Sequence, residues 1–207
     1  MIVVVNLDLG NMGSIMNMLR KIGAAACLSS RLQDVEAADK LILPGVGAFD
    51  NAVSNLKELE IMPVLDRKVL RDQTPILGIC LGAQLMTKKS EEGRLPGLGW
   101  IDGRTARFDF GSNPRRLKVP HMGWNEIIPG KKSKLLCSLA DEGEKSKFYF
   151  VHSYHLVCDN PRDVLATAHY GYEFVAAFAR DNIYGVQFHP EKSHKFGMRL
   201  LKNFAEL

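Results

Sequence analysis

Apolar positions in the amino-terminal part of the chain follow two spacings, one typical of buried strands and one typical of amphipathic helices. Short continuous apolar runs predict strands that are buried on both faces, at residues 2–7, 25–28, 40–43 and 75–80. Apolar residues at helical spacing predict helices, at residues 15–22, 49–59 and 62–70. Strands that alternate with helices in this way predict a parallel sheet, which binds its ligands at the carboxyl ends of its strands.

The second part of the chain differs from about Gly93 onward, because Gly, Pro and Arg become frequent and helical periodicity fades. Its short apolar runs predict strands with antiparallel pairing, at residues 100–108, 117–119, 124–128, 148–152, 156–158, 164–169, 175–179 and 183–188. A last helix is predicted from about Ser193. With 207 residues and no linker or repeat, we expect a single domain over residues 1–207.

Composition and charge exclude several classes of function. A net charge of +4 is too mild for a nucleic-acid-binding protein. The basic clusters at residues 115–118 and 131–134 are interpreted as solvated surface, with an electrostatic docking site for a partner or a phosphate as the alternative. Residues 1–5 favour a first strand over a signal peptide, and no apolar run is long enough to span a membrane. The four cysteines form no C-x-x-C pair, which favours reduced thiols in a cytoplasmic protein.

The stretch around Cys80 carries the clearest chemical signal. A predicted strand ends at Cys80 and a helix follows directly, with Gly78 and Gly82 two residues away on either side. This is the nucleophile-elbow pattern, with cysteine in the place of serine and a strained backbone at the middle residue. The free amides of a helix N-terminus favour a thiolate, the form that a covalent acyl-transfer enzyme needs. The pattern alone also fits an inert buried cysteine.

A nucleophilic cysteine needs a histidine base and a group that orients the base. His189 follows the last predicted strand, so it should lie at a strand end. Glu191 lies two residues on, and residues at that spacing point the same way in an extended segment. Glu191 can therefore accept a hydrogen bond from one imidazole nitrogen while the other nitrogen faces Cys80. His152 and His155, in a predicted strand near the pocket, are the rival candidates.

Acyl transfer also needs hydrogen-bond donors for the oxyanion that forms on the carbonyl oxygen. The backbone amide of Leu81 directly follows the nucleophile and is well placed for this role. A second donor is expected from residues 44–47, because their glycines let a backbone amide turn toward the pocket. A plain strand-to-helix turn is the alternative interpretation of these residues.

Five motifs occur in order along the chain, and the similarity that they mark runs essentially from end to end. They are Pro-Gly-Val-Gly-Ala-Phe at residues 44–49, Gly-Ile-Cys-Leu-Gly-Ala-Gln at 78–84, Pro-His-Met-Gly-Trp-Asn at 120–125, Tyr-Phe-Val-His-Ser-Tyr at 149–154 and Gly-Val-Gln-Phe-His-Pro-Glu at 185–191. In this combination the sequence resembles the class I (triad) glutamine amidotransferases. Within that family it resembles the glutaminase subunits of imidazole glycerol phosphate synthase.

The resemblance implies a fold, a reaction and a set of site residues. The fold would be α/β, a flavodoxin-like three-layer α/β/α arrangement with a mostly parallel central sheet and an added antiparallel portion. Cys80 would attack the side-chain amide of L-glutamine, His189 would be the base and then the acid, and Glu191 would hold its tautomer. Ammonia would leave, water would hydrolyse the glutamyl thioester, and no metal or organic cofactor would be needed. The resemblance also implies oxyanion-hole amides at Val46 and Leu81, and glutamine-binding residues at Gly47, Gln84, Glu92, Ser153 and Tyr154.

A partner is also implied by the resemblance. It would be a (β/α)8 barrel cyclase subunit that forms a heterodimer with this chain, receives ammonia through a tunnel, and makes imidazole glycerol phosphate and AICAR in histidine biosynthesis. Met122, Trp124 and Asn11 would lie toward this partner and the ammonia path. The sequence departs from the family pattern at two places: residues 8–14 lack the tyrosine usual in this family, and residues 112–118 add basic side chains. Both differences bear on the identity of the partner more than on the chemistry.

Three other functions stay open at this stage. A paralogous glutaminase would supply ammonia to a sugar-amidating enzyme in surface-polysaccharide biosynthesis. A γ-glutamyl peptidase would use the same Cys–His–Glu logic on another substrate, although the motif at residues 120–125 favours an amidotransferase. A non-enzymatic interaction domain would keep an oxidisable cysteine without an ordered pair of His189 and Glu191.

Overall fold

The structure of the chain, a computed structural model, describes residues 1–8, 12–111, 117–139 and 143–207. Asn11 and residues 112–116 of the basic segment lie outside the described residues. The helices are α1 (Met12–Lys21), α2 (Leu32–Glu36), α3 (Phe49–Glu58), α4 (Met62–Asp66), α5 (Leu81–Leu85) and α6 (His194–Ala205). The strands are β1 (Ile2–Val5), β2 (Ala26–Ser29), β3 (Lys40–Gly45), β4 (Ile76–Cys80), β5 (Lys89–Ser90), β6 (Gly103–Arg107), β7 (His121–Glu126), β8 (Ile128–Pro129), β9 (Lys147–His152), β10 (Tyr154–Cys158), β11 (Val164–Tyr170), β12 (Tyr172–Arg180) and β13 (Ile183–Val186).

The described strands form one large sheet and a smaller one. Along the large sheet the order is β2-β1-β3-β4-β13-β12-β10-β6-β5, with β11 paired to β12 and β8 paired to β11. Strands β2, β1, β3, β4 and β13 run parallel, whereas β12 pairs antiparallel with β13, β10 and β11. The prediction of a mostly parallel sheet with an added antiparallel portion is therefore confirmed. Strands β7 and β9 form the smaller, antiparallel sheet, called the β7–β9 ribbon below.

Helices cover both faces of the parallel strands, which gives the predicted three layers. Ile2 and Val4 of β1 pack in one core with residues of α1 and α6, whereas Val3 and Val5 pack in another core with residues of α3 and α4. All four side chains are buried. The strand is apolar throughout because both of its faces are covered. Among the described residues, no helix is long and apolar enough to cross a membrane.

Several boundaries differ from the predictions. Residues 117–119 form no strand, and the strand begins instead at His121, after Pro120, which has no N–H to donate to a ladder. The helix predicted at residues 62–70 ends early as α4 and continues as a π-helical turn over Arg67–Arg71. Helix α2 and strand β5 were not predicted, because elements of five and two residues are too short to show a period.

Strand β4 passes directly into α5, and this junction packs too tightly for side chains at two positions. A Cβ on Gly82 would lie 1.7 Å from the carbonyl oxygen of Leu43, and a Cβ on Gly78 would lie 2.7 Å from the backbone of Ala83. Between these glycines, Cys80 has a φ of +52°, in the left-handed region that side chains disfavour. The predicted strained elbow is therefore confirmed, and it is the close approach of backbone that requires the two glycines.

Gly82→Ala should destabilise the fold severely. The added methyl group overlaps the backbone of Leu43, so α5 must move away from β3, and we expect a loss of at least about 3 kcal/mol in the free energy of unfolding, or failure to fold. Gly130→Ala is the matched control, because its Cβ would meet nothing closer than 3.8 Å. It should change stability by less than about 1 kcal/mol. Urea unfolding measures both, and equal stability of the two variants would contradict the tight packing.

Candidate active site

The predicted site residues meet at the carboxyl ends of the central parallel strands. Cys80 ends β4 in register with Gly45, the last residue of β3, and His189 follows β13, which pairs with β4 on its other side. A cavity of about 410 Å³ opens at this point, and Cys80 and His189 both line it. The residues predicted for the oxyanion hole and for glutamine binding also line this cavity, namely Val46, Gly47, Leu81, Gln84, Glu92, Ser153 and Tyr154.

A larger cavity of about 1050 Å³ lies elsewhere, between residues 129–137 and the end of α6. Lysines and the exposed Cys137 line it, but no described histidine does. Acyl transfer needs a nucleophile and a base together, so the smaller cavity is the candidate active site. Within the part of the chain that the structure describes, no cluster of three or more histidine, cysteine or acidic side chains is placed to hold a metal ion.

His189 and Glu191 form a buried pair. Nδ1 of His189 lies 2.7 Å from Oε1 of Glu191, and the side chains are only 1% and 5% exposed. The predicted hydrogen bond is therefore confirmed. The predicted reason, an extended segment, is wrong, because Pro190–Lys192 form a 3-10 turn that returns the carboxylate to the ring. The fixed φ of proline at the first position favours such a turn.

The second ring nitrogen of His189, Nε2, is buried and makes no hydrogen bond of standard geometry within the described residues. The sulfur of Cys80 lies near enough for its charge to govern the ring. Burial by itself lowers the pKa of His189, but the negative charge of Cys80 and then Glu191 outweigh burial and raise the pKa to about 10. These partners therefore favour the charged form of the imidazole.

Cysteine, imidazole and carboxylate thus lie together at the end of a parallel sheet, in the order that covalent acyl transfer requires. The sequence matches the profile of the family described as "Glutamine amidotransferase class-I" over residues 4–207. The chain belongs to the class I glutamine amidotransferases. The family resemblance seen in the five motifs is confirmed by this match.

Relatives of this amidotransferase match it over its whole length. A protein of Methanococcus maripaludis named "Imidazole glycerol phosphate synthase subunit HisH 2" is 50% identical over 206 residues, which cover 100% of this chain and 99% of that protein. A protein of the same name from Pseudomonas aeruginosa is 49% identical and covers 100% of both chains. Among solved structures, PurLQS from Thermotoga maritima matches with a TM-score of 0.74 at 17% identity, over 99% of this chain and 97% of the other, which shows a common fold.

Two residues that line the cavity of this amidotransferase have defined hydrogen bonds. Nε2 of Gln84 donates to the carbonyl oxygen of Tyr154 at 3.1 Å and to Oε1 of Gln187 at 3.3 Å. Both N–H groups of Gln84 are thereby used, which leaves its side-chain oxygen as an acceptor. Oε2 of Glu92 accepts from the backbone N–H of Phe49 at 3.1 Å, while burial raises the pKa of this carboxyl. The cavity is therefore lined by an amide group that has an acceptor oxygen to spare and by a carboxyl group.

Two buried residues near the reacting groups were missed by the sequence reasoning. Gln187 is fully buried, and its Nε2 lies 3.7 Å from Sγ of Cys80. Ser193 is also fully buried, and its hydroxyl donates to the carbonyl oxygen of His189 at 2.6 Å and accepts from the backbone N–H of Tyr149 at 3.0 Å. Gln187 carries a signal that could have been used, an isolated amide in an apolar run. Ser193 carries none, because its partners are backbone groups.

Two of the three residues predicted to face a partner, Met122 and Trp124, lie outside the cavity on the β7–β9 ribbon. Met122 and Trp124 of β7 are 62% and 48% exposed, and Trp124 stacks on the ring of His194 with centroids 5.5 Å apart. Exposed large apolar side chains in close succession are typical of an interaction surface. Pro120, directly before β7, lines the cavity, so the ribbon reaches from this surface to the site.

His121 and His152 join the two strands of the ribbon through a directed chain of hydrogen bonds. Nδ1 of His152 lies 2.8 Å from the carbonyl oxygen of Tyr154 and must donate to it, so Nε2 of His152 accepts from Nδ1 of His121 at 3.0 Å. Nε2 of His121 then accepts from Nδ2 of Asn125 at 3.3 Å. Burial lowers the pKa of His121 to about 4 and that of His152 to about 3, so both rings are neutral.

Neither rival histidine is placed to serve as the base for Cys80. Both ring nitrogens of His152 are occupied by the chain just described. Nε2 of His155 lies 3.0 Å from the hydroxyl of Tyr172, and its Nδ1 lies 3.1 Å from the carbonyl oxygen of Leu156. His155 also lines a different cavity. His189 is therefore the candidate base of this site.

The neutral ring of His121 should make stability depend on pH in the acid range. The unfolded chain binds the proton near pH 6.5, whereas the folded chain binds it only near pH 4, so stability should fall as the pH drops between these values. His121→Gln removes this titration and should reduce the fall. His169→Gln, at an exposed histidine, is the control and should leave it unchanged. Urea unfolding at half-unit pH steps gives the slopes, and identical slopes for both variants would contradict the burial of a neutral ring.

Proposed function

We propose that this protein is the glutaminase subunit of an imidazole glycerol phosphate synthase, which hydrolyses L-glutamine to glutamate and ammonia and passes the ammonia to a cyclase partner. The observation that carries the reaction is the buried pair of His189 and Glu191 beside the elbow cysteine Cys80. Full-length identities of 50% and 49% to proteins named as subunit HisH 2 of that synthase support the pathway.

In the first half-reaction, the thiolate of Cys80 attacks the side-chain carbonyl carbon of glutamine, and an electron pair moves onto the carbonyl oxygen. His189 gives its Nε2 proton to the amide nitrogen, the C–N bond breaks, and ammonia leaves. A glutamyl thioester and a neutral imidazole remain. Glu191, hydrogen-bonded to Nδ1, keeps the ring in the tautomer whose Nε2 can accept the next proton.

In the second half-reaction, water attacks the thioester and gives a proton to Nε2 of His189. The C–S bond then breaks, glutamate leaves, and the thiolate of Cys80 is restored beside the imidazolium. The oxyanion formed in both steps would accept hydrogen bonds from the backbone amides of Leu81 and Val46. Gly47, with a φ of +112°, gives the turn at Val46 a backbone conformation that few other residues adopt.

Recognition of L-glutamine requires groups for its α-ammonium, its α-carboxylate and its side-chain amide. The carboxylate of Glu92 fits the ammonium, whose positive charge would offset the burial that raises the pKa of this group. The free side-chain oxygen of Gln84 fits an N–H of the substrate. Gly47, Ser153 and Tyr154 line the same cavity and would complete the contacts.

The partner in this proposal is a (β/α)8 barrel cyclase subunit, bound as a heterodimer against the exposed side of β7. Met122 and Trp124 are exposed there, beside a strand that reaches the cavity. Asn11 is proposed to lie toward the same partner. The chain would act as a single domain in the cytoplasm, without a metal or an organic cofactor.

Cys80→Ala should lower glutamate release from glutamine by at least about a thousandfold, because no other cysteine of the described residues lines the cavity. The assay is run with the cyclase partner added. Cys137→Ala is the matched control, since that thiol is exposed and outside the cavity. Glutamate release by Cys80→Ala at the wild-type rate would overturn the proposal. Turnover of γ-glutamyl peptides in place of glutamine would indicate a peptidase.

Glu191→Gln should lower kcat on the order of a hundredfold or more and leave KM nearly unchanged. The amide can donate to Nδ1 of His189, which favours the wrong tautomer and removes the charge that stabilises the imidazolium. Glu58→Gln, at an exposed position of α3, is the control and should match the wild type. A kcat for Glu191→Gln equal to that of Glu58→Gln would show that the carboxylate does not orient the base.

The enzyme that receives the ammonia has a second candidate, a sugar-amidating enzyme of polysaccharide biosynthesis. Both relatives described above carry the number 2 in their names, and the sequence departs from the family pattern at residues 8–14 and 112–118. Purification from the native source, with identification of the co-eluting chains, separates the two. A barrel cyclase alone supports histidine biosynthesis, whereas an additional sugar-amidating ligase supports the second candidate.

A further inference from the structure

Gln187 is a buried polar side chain that the reaction proposed above does not use. It lies directly after β13 and two residues before His189, and its side chain is fully buried. Its Nε2 lies 3.7 Å from Sγ of Cys80, within hydrogen-bonding range for an acceptor as large as sulfur. The backbone N–H of Gln187 donates to the carbonyl oxygen of Ala176 at 2.8 Å, which fixes its position on the sheet.

The orientation of the Gln187 amide is determined by Gln84. The carbonyl oxygen of Tyr154 can only accept, so the nitrogen of Gln84 must face it at 3.1 Å. The same nitrogen lies 3.3 Å from the Gln187 side chain, which must therefore present its oxygen to Gln84. The NH2 group of Gln187 is left to face the sulfur of Cys80. A flipped amide would place nitrogen against nitrogen and oxygen against sulfur, and would lose both bonds.

We propose that Gln187 is a further catalytic residue, whose side-chain N–H donates a hydrogen bond to the sulfur of Cys80 and stabilises its thiolate. This role rests on the proposed function, in which Cys80 is the nucleophile. Hydrogen bonds to a charged acceptor are stronger than those to a neutral one, so the bond favours the ionised sulfur. His189 gives up its proton during the reaction, whereas Gln187 keeps its donor throughout. Gln187 is therefore also in place when the C–S bond breaks and the sulfur regains its charge.

Other titratable groups face the same cavity and also influence how the reactivity of Cys80 depends on pH. They are Glu92, His152, Tyr154, His189 and Lys192, with Glu191 behind the ring of His189. A substitution at Gln187 leaves all of them in place. The pH at which the sulfur reacts therefore reports on the donor that the substitution removes.

The test follows the alkylation of Cys80 by iodoacetamide against pH in the full chain, with peptide mass spectrometry and the exposed Cys137 as the internal reference. Gln187→Met keeps the approximate length of the side chain and removes the donor. It should raise the midpoint of Cys80 alkylation by about one pH unit or more. With the cyclase partner added, kcat for glutamine should fall roughly tenfold or more, while KM changes by less than about twofold.

Gln187→Glu is the second variant, because it keeps an acceptor for Gln84 and tests the role even where Gln187→Met does not fold. Its carboxylate disfavours a thiolate, so the midpoint should rise at least as far. Thr105→Val removes a fully buried hydroxyl outside the cavity and should change neither the midpoint nor kcat. A wild-type midpoint and kcat in the Gln187 variants would overturn this role. Activity without Cys80 would instead overturn the proposed function, so the two failures are distinguishable.

Discussion

The close approach of α5 to β3 and β4 is the constraint on which the rest of the site depends. Gly82 has no side chain, so α5 can begin at Leu81, directly after β4, and pack closely against β3. Cys80, at the junction of β4 and α5, is held in a left-handed conformation. Such a conformation persists only where the surrounding packing over-determines it. The sulfur is thereby held at the carboxyl edge of the sheet, where the neighbouring strands β3 and β13 bring the turn at Val46 and the ring of His189 to the same cavity.

Charge partners, rather than burial, separate the candidate base from the structural histidines. Burial alone acts to lower the pKa of each of the three rings, His121, His152 and His189. The first two rings have only neutral hydrogen-bond partners and stay neutral. His189 lies between Cys80 and Glu191, whose negative charges outweigh its burial. The same low-polarity interior therefore gives a rigid neutral chain in one place and an ion pair in another.

Features with local signals could be predicted from the sequence. The apolar run of β1, the glycines around Cys80 and the spacing of His189 and Glu191 each lie within a few residues, so the layers, the elbow and the acid–base pair all follow from short patterns. Features that depend on contacts between distant residues could not be predicted from the sequence. The hydrogen bond from Gln187 to sulfur is defined only once Gln84 has fixed the amide, and these two residues are 103 positions apart.

The β7–β9 ribbon belongs to a separate sheet, yet it is fastened to the imidazole-bearing segment itself. The backbone N–H of His189 donates to the carbonyl oxygen of Tyr149 in β9 at 2.9 Å, and the hydroxyl of Ser193 links the same two residues a second time. Trp124 lies on the neighbouring strand β7, and its side chain is exposed to solvent. A molecule bound against this tryptophan would therefore be connected to the proton donor His189 through a single pair of strands. The parallel strands would hold the other side of the site in place.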